Sequence, residues 1–391
     1  MRRILFVSNG HGESAIAERI ACEVLALATS PVGLDQLALV GDPPAARALT
    51  TVGPRRAMPS GGLVAMGNVR AFAGDLRAGF LSLLRAQVGF LRREGSRYDC
   101  ILAVGDAYGL LLSLAAQRRT LFVGTAKSVY VAAYGPFERT LLRRAARVFV
   151  RDEATAFDLR VDGVPAEAPG NVIVDLIEAA PEPTGEFAQG TWLGLLPGSR
   201  EGAYADAVRL AAVLQALAAR RGEARGLLSL APGLAPERFA RALSAAGWHL
   251  DDAEVAPLAA GQEAFRATRA GAALVGWRGP LGTLLRAATL VAGQAGTGNE
   301  QAAALGRPVV ALDAEGLGAR RAGPGEGWYR MRQRRLLGDA LALLPPRPAD
   351  AAEGISALLD DPAALARMRT AGIERMGPPG GARAIAAAVL E

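Results

Sequence analysis

Residues 193–201 read Leu-Gly-Leu-Leu-Pro-Gly-Ser-Arg-Glu. A short apolar strand runs straight into a tight Pro-Gly turn. The turn delivers a hydroxyl (Ser199) and a guanidinium (Arg200) to the mouth of the helix that follows. Backbone N–H groups at a helix start, joined by Ser and Arg, form a diphosphate cradle, and Gly198 lets the chain turn tightly into it. A second strand–glycine–helix junction stands near the N-terminus, at Ser8-Asn9-Gly10-His11-Gly12-Glu13. Two such junctions, one per half, predict an α/β chain with two nucleotide-fold lobes facing a cleft.

The bulk properties fit that reading. A chain of 391 residues is too long for one ordinary core and suits two α/β domains. Hydrophobic residues make up 51% and charged residues 21%, which excludes a disordered chain. The net charge of +6 comes without any Lys/Arg block. Nucleic acid is therefore not an expected partner, while an anionic substrate or membrane surface is compatible. Two cysteines (Cys22, Cys100) and two histidines (His11, His249) build neither a disulfide framework nor a zinc site, so no metal and no cofactor is expected. The N-terminal apolar run is too short for a signal peptide, and no run reaches the ~18 apolar residues of a spanning helix. A cytoplasmic location is expected, with a peripheral position on the inner membrane face left open.

Apolar strands at 4–8, 37–40, 99–104, 121–123 and 148–151 alternate with helical patterns at 13–29, 71–93 and 137–145. The Gly/Pro-rich stretch 41–67 reads as irregular connection. Pro181-Glu182-Pro183-Thr184-Gly185 interrupts the alternation and reads as a linker. Strands then resume at 192–196, 226–230, 272–275, 290–292 and 309–312, and 349–390 is helical with breaks at Pro362 and at Pro378-Pro379-Gly380-Gly381. The expected organisation is an N-terminal domain over 1–180, a linker over 181–190, a C-terminal domain over 191–370 and a helical segment over 371–391 that can return to the first domain.

Several motifs carry chemistry. His11 sits in a glycine loop at a strand's carboxyl end, where an imidazole suits a general base; the alternative is a turn histidine at a helix start. Val104-Gly105-Asp106-Ala107-Tyr108-Gly109 places Asp106 at another strand end. Asp106 can orient His11, act alone as the base, or simply cap the next helix. Lys127, the single lysine in a chain otherwise using arginine, suits a phosphate contact or stands there by chance. Residues 293–310 read Gly-Gln-Ala-Gly-Thr-Gly-Asn-Glu-Gln-Ala-Ala-Ala-Leu-Gly-Arg-Pro-Val-Val. Gly296, Thr297 and Gly298 can offer N–H donors to phosphate, and Glu300 or Gln301 can reach ribose hydroxyls. Arg70, Arg77, Arg85 and Arg92 share one face of the 71–93 helix, which either lies on anionic lipid or buries its apolar side in its own domain.

Together these pieces resemble the nucleotide-sugar transferases of GT-B architecture, and among them the lipid-A-disaccharide synthase-related group. The resemblance runs in order through 8–13, 104–109, 125–128, 137–139, 149–153, 169–171, 196–201 and 296–308. It implies two Rossmann-like doubly wound domains, a UDP-sugar donor held by the second, and a lipid-linked acceptor. Carried onto this chain, Ser199, Arg200, Gly296 and Thr297 hold the donor, and Asp106 matches the synthase's catalytic aspartate. Asn9, Gly10, Gly12, Glu13 and Lys127 become acceptor or phosphate contacts. His11 lies where the lipid II-forming transferase carries a loop histidine, whereas the synthase reads Gly-Glu-Ala-Ser-Gly-Asp there. The usual ribose-binding acid falls at Gln301, with Glu300 one residue early. The expected activity is hexosyl or N-acetylhexosaminyl transfer from a UDP-sugar with inversion. A UDP-N-acetylhexosamine 2-epimerase-like enzyme and a non-catalytic nucleotide-sugar-binding protein are the alternatives.

Overall fold

Short apolar runs decide the cores. Ile4, Leu5, Phe6 and Val7 are all fully buried, so both faces of the strand they form are covered. Alternate side chains serve opposite faces. Ile4 and Phe6 pack with Ile16, Ile20 and Val24 and with Ile385 and Val389 near the C-terminus. Leu5 and Val7 pack with Leu37, Leu91 and Leu112.

The computed structural model describes residues 1–40, 47–56, 76–125, 127–178, 180–199, 201–231, 233–251, 263–313 and 326–391, leaving aside the side chains of 11, 178 and 326–330. The chain forms two compact units, Met1–Leu176 with Pro378–Glu391, and Ile177–Gly377.

The first unit holds β1 (Arg2–Ser8), β2 (Val32–Ala38), β3 (Thr50–Thr51), β4 (Cys100–Gly105), β5 (Thr120–Gly124), β6 (Arg147–Phe149) and β7 (Ala166–Glu167). The sheet runs β3-β2-β1-β4-β5-β6-β7, and all its pairings are parallel. This is the Rossmann order, and its direction reverses between β1 and β4. Ligands of such sheets bind outside the strand carboxyl ends at that reversal. Both Asn9-Gly10 and Asp106 leave the sheet there.

The second unit holds β8 (Trp192–Leu196), β9 (Ala224–Ser229), β10 (His249–Asp251), β11 (Glu263–Arg269), β12 (Ala272–Trp277), β13 (Leu290–Gly293), β14 (Val309–Leu312) and β15 (Leu341–Leu344). Its order is β10-β11-β12-β9-β8-β13-β14-β15, reversing between β8 and β13. The pairings are parallel except at one edge, where β10–β11 and β11–β12 are antiparallel. That edge departs from the expected all-parallel sheet. Ala270 and Gly271 join β11 to β12 with positive φ of 45° and 81°, which matches the twist of a two-residue hairpin.

The C-terminal segment is part of the first unit from Pro378 onward. Asp175 is the anchor. Its buried carboxylate accepts the Gly380 and Ala382 amides at 2.6 Å each, and Asn171 N–H donates to the Pro378 carbonyl at 2.9 Å. Gly170 lies at φ 140°, and a Cβ there would stand 2.7 Å from the Gly381 nitrogen. The helix Gly381–Leu390 then buries Ile385 and Val389, each contributing about 2 kcal/mol.

Several expected elements shift. β2 occupies Val32–Ala38 rather than 37–40. Within the expected irregular stretch 41–67, residues 47–56 are described, and Thr50–Thr51 there pairs as β3 with Asp35 and Gln36. The helix expected over 71–93 is described as Phe80–Glu94, because Gly79 at φ 90° breaks the helical path before Phe80. It buries Phe80, Leu83, Gln87 and Leu91 in its own unit and leaves Leu81, Arg85 and Arg92 exposed. Arg70 lies outside the described residues. Among the described residues, no helix is long and apolar enough to cross a membrane.

Candidate functional site

At the β1 end, a chain of hydroxyls fixes the turn. Gln36 Nε2 donates to Ser8 Oγ at 2.8 Å. Ser14 Oγ donates to the Gly10 carbonyl at 2.8 Å. Its proton is thereby committed, so Ser8 Oγ donates across the 3.1 Å gap between the two hydroxyls. Gly10, at φ 114°, takes a backbone shape that an L side chain resists. Gln36 and Ser14 are polar residues inside apolar or helical patterns, and sequence reasoning passed over them.

Asn9, next in the turn, is buried at 6% exposure. Its Nδ2 donates to Asp106 Oδ2 at 3.2 Å. Asp106 Oδ1 accepts the Gly109 amide at 3.0 Å and so caps the helix Ala107–Ser113. The same carboxylate thus caps the helix with one oxygen and meets Asn9 with the other. Glu13, in the first turn of the helix His11–Leu27, lies against the backbone of Gly105. Gly105 has φ 126°, and a Cβ there would stand 2.8 Å from Glu13 Cγ. Burial, reinforced by the charge of Asp106, raises the Glu13 carboxyl above the ordinary range. Gly12 is exposed, with open space where a Cβ would be. His11 opens the helix, and its side chain lies outside the described residues. The first unit therefore brings Asn9, Glu13 and Asp106 together.

Lys127 is tied down. Its Nζ meets Glu138 Oε2 at 2.5 Å and stands 5.6 Å from the centre of the Tyr134 ring. The same Glu138 oxygen accepts the Gly135 amide at 2.7 Å. Lys127→Gln is expected to lower unfolding free energy by less than about 1 kcal/mol in urea titration, as for other part-exposed pairs. A larger loss would show that the pair is what holds this loop.

In the second unit the two predicted turns leave neighbouring strands. The Leu196 carbonyl, at the end of β8, accepts the Gln294 and Ala295 amides at 2.8 and 3.1 Å. Gly198 follows at φ 109°, and Ser199 is exposed. Arg200 lies outside the described residues. After β13, Gly296 leads into the helix Thr297–Ala304, with Gly296 and Thr297 exposed. The amides of Thr297 and Gly298 belong to the first helical turn and have no intrahelical acceptor. Glu300 and Gln301 are both half-buried on that helix.

Two carboxamides brace this turn. Gln333 Nε2 donates to the Ala295 and Gly296 carbonyls at 2.8 and 3.0 Å. Asn299, fully buried, donates through Nδ2 to the Gly293 carbonyl at 3.1 Å and to Gln333 Oε1 at 3.3 Å. A Cβ on Gly293 would collide with the Asn299 carboxamide. With these carbonyls tied to Gln333 and the Gln294 and Ala295 amides tied to Leu196, the amides of Thr297 and Gly298 are the donors this turn presents at the helix start. Gln333 comes from a helix far along the chain, and no local pattern flagged it.

No family model matches the chain, and no curated protein is detectably similar to it in sequence. Solved structures are similar in fold over nearly the whole chain. Acinetobacter baumannii MurG has 13% identity and a TM-score of 0.57, covering 100% of this chain and 99% of that one. The fold is GT-B. UDP-GlcNAc 2-epimerase from Neisseria meningitidis, solved bound to UDP-GlcNAc, has 14% identity and a TM-score of 0.55, covering 99% of each chain. UGT2 of Phytolacca americana, in complex with UDP-2-fluoro-glucose and pterostilbene, has 11% identity and a TM-score of 0.56, again covering 99% of each. At these identities the likeness establishes the GT-B fold and nothing finer.

Proposed function

We propose that this GT-B chain is a UDP-sugar-dependent glycosyltransferase. It moves a hexose or N-acetylhexosamine unit with inversion onto a lipid-linked acceptor, as lipid-A-disaccharide synthase-like enzymes do. One observation carries the reading: the Gly198 and Gly296 turns leave the sheet at the β8/β13 reversal, and Gln333 ties the second turn's carbonyls inward. The similar structures solved with UDP-sugars support it.

In this reading the second unit grips the donor. Amides of the Gly296 turn, Ser199 and Arg200 offset the charge that develops on the leaving diphosphate, with no metal assigned. Glu300 or Gln301 contacts the ribose. The first unit supplies the acceptor side, where a group at the β1/β4 reversal takes the hydroxyl proton as that oxygen attacks the anomeric carbon, His11 and Asp106 being the residues the sequence names for it. The exposed Arg85, Arg92 and Leu81 suit contact with an anionic bilayer, in keeping with a peripheral position on the inner membrane face.

Calorimetry with UDP and radiolabelled sugar transfer to extracted lipid test the assignment. UDP binding together with a labelled lipid product is the expected result. Binding without transfer to any lipid extract, combined with epimerised product from UDP-GlcNAc alone, would favour the 2-epimerase reading. The full-length likeness to such an epimerase makes that the second candidate. No UDP binding at all would sink both.

A further inference from the structure

Three groups near the β1/β4 reversal are candidates for taking the acceptor proton, and the geometry separates two of them. Asp106 has each carboxylate oxygen already in a hydrogen bond, one to Gly109 N–H and one to Asn9 Nδ2. Asn9 Oδ1 is buried without a partner, so that carboxamide is placed for Asp106 at a cost to itself. Glu13 differs. It lies on Gly105, a residue that leaves no room for a Cβ beside it, and the hydrogen bond its carboxylate accepts comes from its own backbone amide rather than from a neighbouring element.

We propose that Glu13 is the catalytic base of the transfer, with Asp106 and Asn9 as positioning residues. The inference rests on the glycosyltransferase reading and assigns its proton. The acceptor hydroxyl gives its proton to the Glu13 carboxylate while its oxygen forms the bond to the anomeric carbon. The bond from that carbon to the diphosphate oxygen breaks, and the electron pair leaves with UDP. Glu13 then releases the proton to water as product departs. The raised acidity range of Glu13 suits this role, because a stronger carboxylate base accepts a proton more readily near neutral pH. The charged group facing it from a packed element is Asp106, on the turn after β4. Ser8 and Asn9, at the end of β1, are neutral.

The sign of the linked stability effect follows. A carboxyl raised in the folded state holds its proton longer than in the unfolded chain. Stability therefore falls as pH rises from the ordinary carboxylate value through the raised one, and the loss persists above it. Glu13→Gln removes that penalty.

The test compares wild type, Glu13→Gln, Glu13→Asp and His11→Asn for UDP affinity, kcat against pH, and unfolding midpoint. Expected in Glu13→Gln are a UDP Kd within about twofold of wild type, kcat lower by about 10² to 10⁴, and a higher midpoint at neutral pH. The acid limb of the kcat profile persists in His11→Asn and disappears in Glu13→Gln, and Glu13→Asp recovers part of the rate. A Glu13→Gln enzyme with more than a tenth of wild-type kcat overturns the proposal while leaving the transferase reading intact. Loss of the acid limb in His11→Asn overturns it in favour of the imidazole. Failure of wild type to bind UDP overturns the transferase reading, and this assignment with it.

Discussion

Asp175→Ala destabilises the first unit by about 3–6 kcal/mol, the sum of two charge-assisted hydrogen bonds at about 1.5–3 kcal/mol each. The carboxylate is buried and holds the Gly380 and Ala382 amides at 2.6 Å. Those amides start a helix and have no other acceptor in their own turn. Scanning calorimetry is the direct measurement, with a fall of about 10 °C expected for a unit of this size. Limited proteolysis gives a second readout, since an unanchored Gly381–Leu390 helix becomes a cleavage site. Asp175→Asn keeps one acceptor oxygen and falls between the two. If Asp175→Ala unfolds within about 1 kcal/mol of wild type, the apolar contacts of Ile385 and Val389 hold the segment by themselves.

The second large effect is expected at the donor turn. In Gly293→Ala the new methyl displaces the buried Asn299 carboxamide, which then loses the Gly293 carbonyl and Gln333. Gln333 in turn loosens its hold on the Ala295 and Gly296 carbonyls. Two or three bracing hydrogen bonds at about 1 kcal/mol each correspond to roughly a hundredfold loss of UDP affinity. Gly296→Ala is the matched control. Nothing lies within 4 Å of the added carbon, so no buried partner is displaced. Isothermal titration with UDP distinguishes the two variants. Equal affinities in both would show that the Asn299–Gln333 brace is irrelevant to nucleotide binding.

How much of this was legible in the sequence depends on the range of the interaction concerned. Ile4–Val7 and 193–196 were readable because a strand covered on both faces must be continuously apolar. The glycines at 10 and 198 were readable because these turns take a positive φ that residues with a Cβ resist. The β11 strand was not. Glu-Ala-Phe-Arg-Ala-Thr-Arg alternates weakly, and its place was decided by a hairpin at Ala270-Gly271. Phe80–Glu94 was readable as a helix but not in its start, because Gly79 interrupts a pattern whose apolar residues continue before it. In the site, Asp106 could be read as cap or catalytic group, and only tertiary geometry revealed Asn9 at its second oxygen. Gln333 and Asp175 act on residues far along the chain. No local window contains their partners.

The Asp175 anchor also bears on the order in which this protein can be made. The chain enters the second unit at Ile177 and leaves it at Gly377. In chain order the second unit is a guest, lodged inside an interrupted host. A nascent chain that has emerged only through residue 377 holds a guest with all of its strands, yet its host still lacks the closing helix. The host sheet face of Ile4 and Phe6, packed from the start with Ile16, Ile20 and Val24 of the first helix, stays incompletely covered until Ile385 and Val389 arrive. Vectorial synthesis ordinarily favours the N-terminal domain as the first to mature. Here the order is inverted, and the half that is translated first is the last to be finished.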